Sequence, residues 1–454
     1  MKDSIKFLLV GIFLITLGVV EFFALKPDTL PGIVTNIEGN IDLSCPRCNV
    51  IFLNIELLRA DHTGLIGNTT YTPAIDRFFR NSIVFHNMSS PGGETFLSNT
   101  AVQTGIRPHE LDISGLDVDQ LSRSKSKSGK FELIHRALTS KSSFSEILQK
   151  HGYHTIGINQ GGRAGSGVFL DRGVDDYTQW PKKAMIDDMI DQVRQTLNNT
   201  GQQPFYFLFR PTFLHNHQYR LTQVPEWLDR LKIIKRPFTY QTPENKSSHG
   251  YHLKRNKKVS EAGQRRMERA IYRAQLEHGD KQLDRLFGLL TRLYIKNSII
   301  VLYSNHGSGL GDNDIYEHGT SYQSSIHVPL LIRHPKLTKP IHIHTPTSLF
   351  DLVPSISKMI GVDEPRWAML ETYQETISRG QGLKQQPIIG KNSWDEYIRI
   401  ENWKYIVLRG SKRMLFNLAY DPHEEKNLIL DYPQKAAELE VMLKSYKHNI
   451  RKIE

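Results

Sequence analysis

The chain has 454 residues, 39% of them hydrophobic and 23% charged, a composition that excludes wholesale disorder and allows one large core with a smaller appendage. Lys and Arg number 58 against 47 Asp and Glu, giving a net charge of +11. That balance suits anionic lipid, a polyanionic substrate or simply a basic solvated surface. Nucleic acid is argued against by the lack of zinc-finger spacing, an RNP-like stretch or a basic zipper.

Residues 7–25 form a nearly unbroken apolar run preceded by Lys2 and Lys6. Nineteen residues suffice to cross a bilayer, Glu21 can sit at the interface, and no small-x-small cleavage site follows. An uncleaved N-terminal membrane anchor is favoured over a signal peptide. The flanking lysines keep the N-terminus in the cytoplasm, so the body is expected in the periplasm or outside the cell. Residues 26–47 read as a linker with Pro27, Pro31 and Gly32 as breakers. The two cysteines, Cys45 and Cys48, precede a strand rather than open a helix, which fits a local disulfide or two free thiols better than a redox motif. One pair cannot make a four-ligand zinc site.

Residues 49–55 are continuously apolar, as a central parallel strand requires. Phe144, Ile147 and Leu148 at helical spacing predict a helix ended by Gly152, followed by strands near 153–158 and 204–209. A long helix is expected over 261–293, running into a strand at 298–303. Alternating strand and helix predicts a doubly wound, mainly parallel α/β sheet with helices on both faces, spanning 48–365. Residues 118–143 and 221–260 break the rhythm and read as surface insertions. Beyond residue 366, strand-like runs at 397–400, 403–408 and 414–418 precede a helix opened by Pro433. This is expected to be a small α+β subdomain over 366–454.

Chemistry concentrates after the 298–303 strand, in Asn305-His306-Gly307-Ser308-Gly309 and on to Glu317-His318-Gly319. Potential ligands and glycines just past the carboxyl end of a strand stand where open α/β sheets place their sites. The stretch resembles the Asp-His-Gly-Glu-x-x-Gly…His-Gly motif of the sulfatase and alkaline-phosphatase superfamily, with Asn305 in place of its Asp and Ser308 in place of its Glu. Further blocks resemble the same family in order: residues 49–67; Thr72-Pro73-Ala74-Ile75-Asp76-Arg77; residues 169–177; Asp351-Leu352-Val353-Pro354; and Trp403-Lys404-Tyr405 with Leu415-Phe416-Asn417-Leu418. Together they cover about residues 48–446 and imply that family's fold.

The resemblance also implies a site. The family places a Cys, Ser or Thr nucleophile at a helix N-terminus ten residues before a Gly, here Thr95 before Gly105. A helix start directs free N–H groups and the positive dipole end at an anion; the plain alternative for Thr95 is an N-cap without chemistry. Formylglycine is not expected, because Thr95 is neither Cys nor Ser and no Pro stands two residues on. Thr95, with Glu56 at the first metal position, instead resembles the phosphoethanolamine and phosphoglycerol transferase branches. The implied shell of one divalent cation is Glu56, Thr95, Asn305 and His306, favouring zinc, with manganese, calcium or magnesium as alternatives. An amide at Asn305 carries no full charge and weakens that shell. His318 is a candidate for substrate contact, leaving-group protonation or a second metal. His215, His217 and Arg59 are candidates for contacting an anionic substrate, and Arg59 could equally be a structural ion-pair partner. The expected function is a metal-dependent hydrolase or transferase acting on phosphate, less so sulfate, esters of a glycan, lipid headgroup or small molecule. The alternative is a degenerate relative that binds an anionic glycan or lipid headgroup without turnover.

Overall fold

The computed structural model describes residues 42–113, 142–161, 170–181, 184, 186–198, 203–215, 261–364, 367, 372–379, 386–408 and 412–450. The apolar run at 7–25, His217 and nearly all of the two insertions lie outside these residues. Among the described residues no helix is long and apolar enough to cross a membrane.

An eight-stranded sheet carries the body, in the order β5-β4-β6-β1-β7-β8-β2-β9. Its strands are β1 (Asn49–Asn54), β2 (Ile83–Phe85), β4 (His154–Gln160), β5 (Asp176–Trp180), β6 (Phe205–Arg210), β7 (Ser298–Tyr303), β8 (Leu330–Arg333) and β9 (Ile341–Ile343). A parallel two-stranded ribbon, β3 (Met88–Ser89) with β10 (Thr347–Ser348), stands apart. The main helices are α1 (Pro73–Phe79), α2 (Thr95–Thr104), α3 (Phe144–Lys150), α4 (Ile186–Asn198), α5 (Glu261–Leu293), α6 (Leu352–Ile360) and α7 (Pro433–Ile450).

β1 lies between β6 and β7, parallel to both, and its residues 50–54 are buried. Alternate side chains leave a strand on opposite faces. Val50 and Phe52 accordingly join one core with Phe144 of α3, Val102 of α2 and Ile356 of α6. Ile51 and Leu53 join the other with Phe79 of α1, Val193 of α4 and Leu286 of α5. Both faces are therefore helix-covered, as an apolar run without alternation requires. The mainly parallel α/β expectation holds, with one refinement. β8 runs antiparallel to both β7 and β2, a direction its short apolar run could not announce.

The N-terminal end of the body starts earlier than the linker reading allowed. Leu43 and Cys48 are buried, Cys45 N donates to Met359 O at 2.6 Å, and Cys45 and Cys48 form a disulfide. At the other end a four-stranded antiparallel sheet is built from β11 (Ile388–Lys391), β12 (Asp395–Ile400), β13 (Trp403–Leu408) and β14 (Arg413–Asn417). β11 was not anticipated. α7 covers this sheet through Ala436, Leu439 and Leu443.

A fully buried ion pair inside the subdomain also ties it to the body through Gln323. Lys404 Nζ meets Glu424 Oε1 at 2.6 Å, and Glu424 Oε2 accepts from Gln323 N at 2.6 Å. Removing one member of such a pair leaves an uncompensated buried charge, which costs about 3–5 kcal/mol. Glu424→Ala is therefore expected to lower the urea midpoint markedly, while Glu440→Ala, at an exposed pair with Arg413, shifts it little. Equal shifts for both would refute the pinning role.

Candidate active site

Three segments meet at the carboxyl ends of β1, β6 and β7. The first is the turn after β1, which carries Glu56. Leu57 follows it at φ 68°, a left-handed conformation that costs a non-glycine residue about 1–2 kcal/mol. Tyr272 of α5 holds that turn in place. Its hydroxyl donates to Leu57 O at 2.8 Å and accepts from Arg59 N at 3.1 Å. Strain at this point is maintained by a long-range clamp, as is common where a side chain must be aimed.

The second segment is the start of α2. Gly93 packs so closely on Thr320 O that a Cβ there would lie 2.5 Å from it, so the loop entering α2 tolerates no side chain. Thr95 is the first helical residue; the N-cap is Glu94, which makes no side-chain cap. The N-cap alternative for Thr95 therefore falls away. Its hydroxyl points into the site, donating to Glu56 Oε1 at 2.7 Å and standing 2.9 Å from His306 Nε2. The ten-residue step to Gly105 is the length of α2 itself, which Gly105 closes at φ 65°.

The third segment is the loop after β7. Asn305 and His306 are fully buried. Ser90 Oγ and Ser98 Oγ donate to Asn305 O at 2.5 and 2.6 Å and fix this backbone against α2. His306 Nδ1 is 3.0 Å from Gly307 O, which assigns the N–H to Nδ1 and leaves Nε2 with a lone pair facing Thr95. Burial, then the neighbouring His318, pushes His306 down to about 3, so the ring is neutral. The His318 ring lies 4.4 Å from that of His306, and the His215 ring lies 5.7 Å from that of His318. Burial, and then His215, lowers His318 as well.

Two site features were not anticipated. Arg210, the last residue of β6, is almost fully buried and donates to Glu56 Oε2 at 2.5 Å and to Asn159 at 2.8 Å. Burial alone would raise the Glu56 carboxyl. Arg210 above all, then His215, His306 and the Thr95 hydrogen bond, instead holds it well below the usual carboxylate range. The only available signal was a charged residue closing an apolar strand run at the site edge. The second is the frame behind the site, where Arg59 pairs with Asp61 at 2.6 Å and with Asp312 at 2.7 Å. Arg59 also donates to Ser308 O at 3.0 Å, and Asp312 receives Arg269 of α5 as well.

The sequence-derived set thus divides. Glu56, Thr95, His306, His318 and His215 come together, with Asn305 beside them in the chain. Arg59 pairs with Asp61 and Asp312, the partners its structural ion-pair alternative called for. Asp312 is likewise held away from metal ligation, and Asp314 is exposed beside Arg265. His217 lies outside the described residues.

Among the described residues no group of three or more His, Cys, Asp or Glu is placed to hold a metal ion. The Thr95 cluster has two of these, Glu56 and His306, and adds a hydroxyl and an amide. Its chemistry nevertheless fits a cation. One hydroxyl proton is shared by two acceptors, Glu56 Oε1 and His306 Nε2, while both side-chain atoms of buried Asn305 have no hydrogen-bond partner. Asn305 Oδ1 and one of the two acceptors facing the Thr95 hydroxyl are thus left without a proton, and unpaired buried polar atoms are costly unless something satisfies them.

Comparison with known proteins decides the family. The sulfatase family model matches residues 48–362. The chain belongs to the sulfatase family. A sulfatase of Formosa agariphila is 23% identical over 457 aligned positions, covering 89% of this chain and 87% of the relative. A structure of BT4656 with its substrate D-glucosamine-2-N,6-O-disulfate superposes with a TM-score of 0.65 at 17% identity, covering 89% of this chain and 98% of the other. The phosphonate monoester hydrolase of Agrobacterium radiobacter gives a TM-score of 0.59 at 14% identity, covering 89% and 96%. At these identities the structures establish a shared alkaline-phosphatase-like fold. The relatives named as sulfatases are ester hydrolases.

The position of Arg59 in this sulfatase-family frame is open to a direct check. Arg59→Gln takes one of two counter-charges from Asp312, which keeps Arg269, and leaves Ser308 O without its donor; the expected loss is about 1–3 kcal/mol of stability. Denaturant unfolding should register that loss. An unchanged midpoint combined with a raised KM would return Arg59 to the substrate.

Proposed function

We propose that the protein is a metal-dependent phosphoester hydrolase or phosphotransferase of the sulfatase family that uses Thr95 as its nucleophile. The observation that carries this reading is the Thr95 hydroxyl at the first turn of α2, held between Glu56 Oε1 at 2.7 Å and His306 Nε2 at 2.9 Å. The two acceptors fix the orientation of the hydroxyl; both are weak bases, so its acidity would come from a bound cation. The helix start behind it offers N–H groups to the transferred group's oxygens.

Glu56 Oε1, Thr95 Oγ1, Asn305 Oδ1 and His306 Nε2 are the atoms that would hold the divalent cation, zinc being favoured by the imidazole. When bound, it supplies a more acidic hydroxyl and a polarised ester oxygen. The chain's own groups do the rest. Arg210 keeps Glu56 ionised and aims its second oxygen at Thr95. His306, tied through Nδ1 to Gly307 O, keeps Nε2 on the same hydroxyl. Thr95 Oγ1 forms the new bond to phosphorus as the P–O bond to the leaving oxygen breaks, and the proton given up by Thr95 ends, through water, on that leaving oxygen. Water then releases the phosphothreonine in a hydrolase, or an acceptor alcohol does so in a transferase. His318, beside His306, is assigned to contact with the transferred group or the leaving oxygen. A threonine cannot be converted to the aldehyde hydrate of formylglycine enzymes, and this favours phosphate over sulfate esters.

The same reading places the body outside the cytoplasm, tethered by the apolar run at 7–25. The Cys45–Cys48 disulfide supports an oxidising compartment. The substrate is an anionic ester of a glycan, a lipid headgroup or a small molecule.

Assays on aryl phosphate, phosphodiester and aryl sulfate esters test the proposal. Thr95→Ala is expected to lower turnover by about 10³-fold or more, and intact-mass analysis after an acid quench should find a phosphoryl adduct on Thr95. Turnover unchanged in Thr95→Ala removes the nucleophile. Preference for the sulfate ester overturns the phosphoester assignment.

A further inference from the structure

The charge balance of the proposed cation site, on whose reading this inference rests, is unusual. Glu56 contributes one negative charge, and Arg210 contributes one positive charge 2.5 Å from its Oε2; their side chains are 2% and 1% exposed. His306 is a neutral ring by its hydrogen bonding, and Asn305 offers an amide. The second positive group nearby, Arg59, is already balanced by Asp61 and Asp312. Glu56, Arg210, Asn305 and His306 together therefore carry no net charge before anything binds. Asn305 adds no charge, and Arg210 offsets that of Glu56.

A divalent cation entering alone would bring two uncompensated charges into a site whose ligands are almost completely desolvated. Ionising Thr95 removes one of them. Charges buried without counter-charge are strongly penalised, and counter-charge relieves the penalty. With Thr95 still protonated, a tetrahedral dianion brings the two negative charges that match the cation's, and at the N-terminus of α2 it meets N–H donors. An anion arriving alone meets the opposite difficulty, because the atoms converging on Thr95 are acceptors.

We propose that this protein binds its cation and its tetrahedral oxyanion as a pair, each raising the affinity of the other, and that Arg210 and Asn305 set this coupling by withholding charge from the cation. Linkage requires the effect to be reciprocal. Arg210 is a positioning and charge-balancing residue, acting through Glu56.

Titration calorimetry of the intact protein with manganese, without and with inorganic phosphate, reads the coupling directly, matched protein-free titrations removing manganese–phosphate association. Manganese affinity is expected to rise about tenfold or more with phosphate. Asn305→Asp restores a charge to the shell, so it should bind manganese about tenfold more tightly without phosphate and show a much smaller phosphate effect. Arg210→Gln, which frees Glu56 Oε2, is expected to act in the same direction; if it does not fold, Asn305→Asp carries the test. Manganese binding that is indifferent to phosphate in the wild type overturns the pairing and leaves the cation site standing, as does an undiminished phosphate effect in Asn305→Asp. No manganese bound by any variant, with phosphate or without, removes the cation site and the pairing with it.

Discussion

A single buried carboxylate organises this site. Glu56 is almost inaccessible to solvent, and an isolated ionised carboxylate there would be strongly destabilised. Arg210 on one oxygen makes the ionised form tolerable, and the other oxygen is thereby free to face Thr95. The division of labour is geometric as well as electrostatic. β1 and β6 are adjacent parallel strands, so the residues just past their carboxyl ends meet at one edge of the sheet. The Glu56–Arg210 contact is a direct consequence of that register. β7, on the other side of β1, supplies His306 by the same logic.

The elements around this core hold its geometry from three sides. Tyr272 of α5 secures the strained turn after Glu56, and Arg59 with Asp312 braces the loop that follows β7. The hydroxyls of Ser90 and Ser98 fix the Asn305 carbonyl to the start of α2. From the C-terminal subdomain, Ser393 donates to the Glu94 carboxylate through its backbone N–H and its hydroxyl, both at 2.9 Å. Hydroxyl, carboxylate and imidazole thus come from a helix start and two loops, each tied to a different support. Catalytic side chains carried on loops need such bracing, because loops alone do not hold geometry to a fraction of an ångström.

Much of this was legible in the sequence, for reasons specific to each element. β1 and β7 are buried on both faces, so their uninterrupted apolar runs stood out, and α5 was readable across its whole length because a long amphipathic pattern is statistically robust. β3 and β10, two residues each, are too short for any periodicity, and the antiparallel run of β8 depends on neighbours distant in the chain. Thr95 was found because the resemblance supplied its spacing to Gly105. Arg210 was missed because an Arg at a strand end ordinarily reaches solvent, and only the β1–β6 register turns it inward. Arg59 was placed in two roles for a similar reason. Its partner Asp312 lies on a loop whose fold includes left-handed turns at Leu310, Gly311 and Asn313, and local sequence does not say where such a loop points its carboxylate.

The polarity of the cluster bears on whether a relative with Asn305 is a catalyst or a passive binder of anions. A pocket built only to hold an oxyanion would surround it with donors. Here the side-chain atoms nearest the Thr95 hydroxyl are acceptors, a carboxylate oxygen and an imidazole lone pair, and the one strong cation, Arg210, is engaged by the far oxygen of Glu56 and by Asn159. These side chains alone repel an anion unless a cation mediates, and the donors on its side are the N–H groups at the start of α2. The arrangement also keeps an ionised carboxylate in the protein interior, at a cost in desolvation that Arg210 has to offset. An anion-binding role gains nothing from that expense, whereas generating a nucleophile from a hydroxyl requires acceptors in these positions. The side chains that touch Thr95 therefore bear on the choice between the two readings independently of the family likeness.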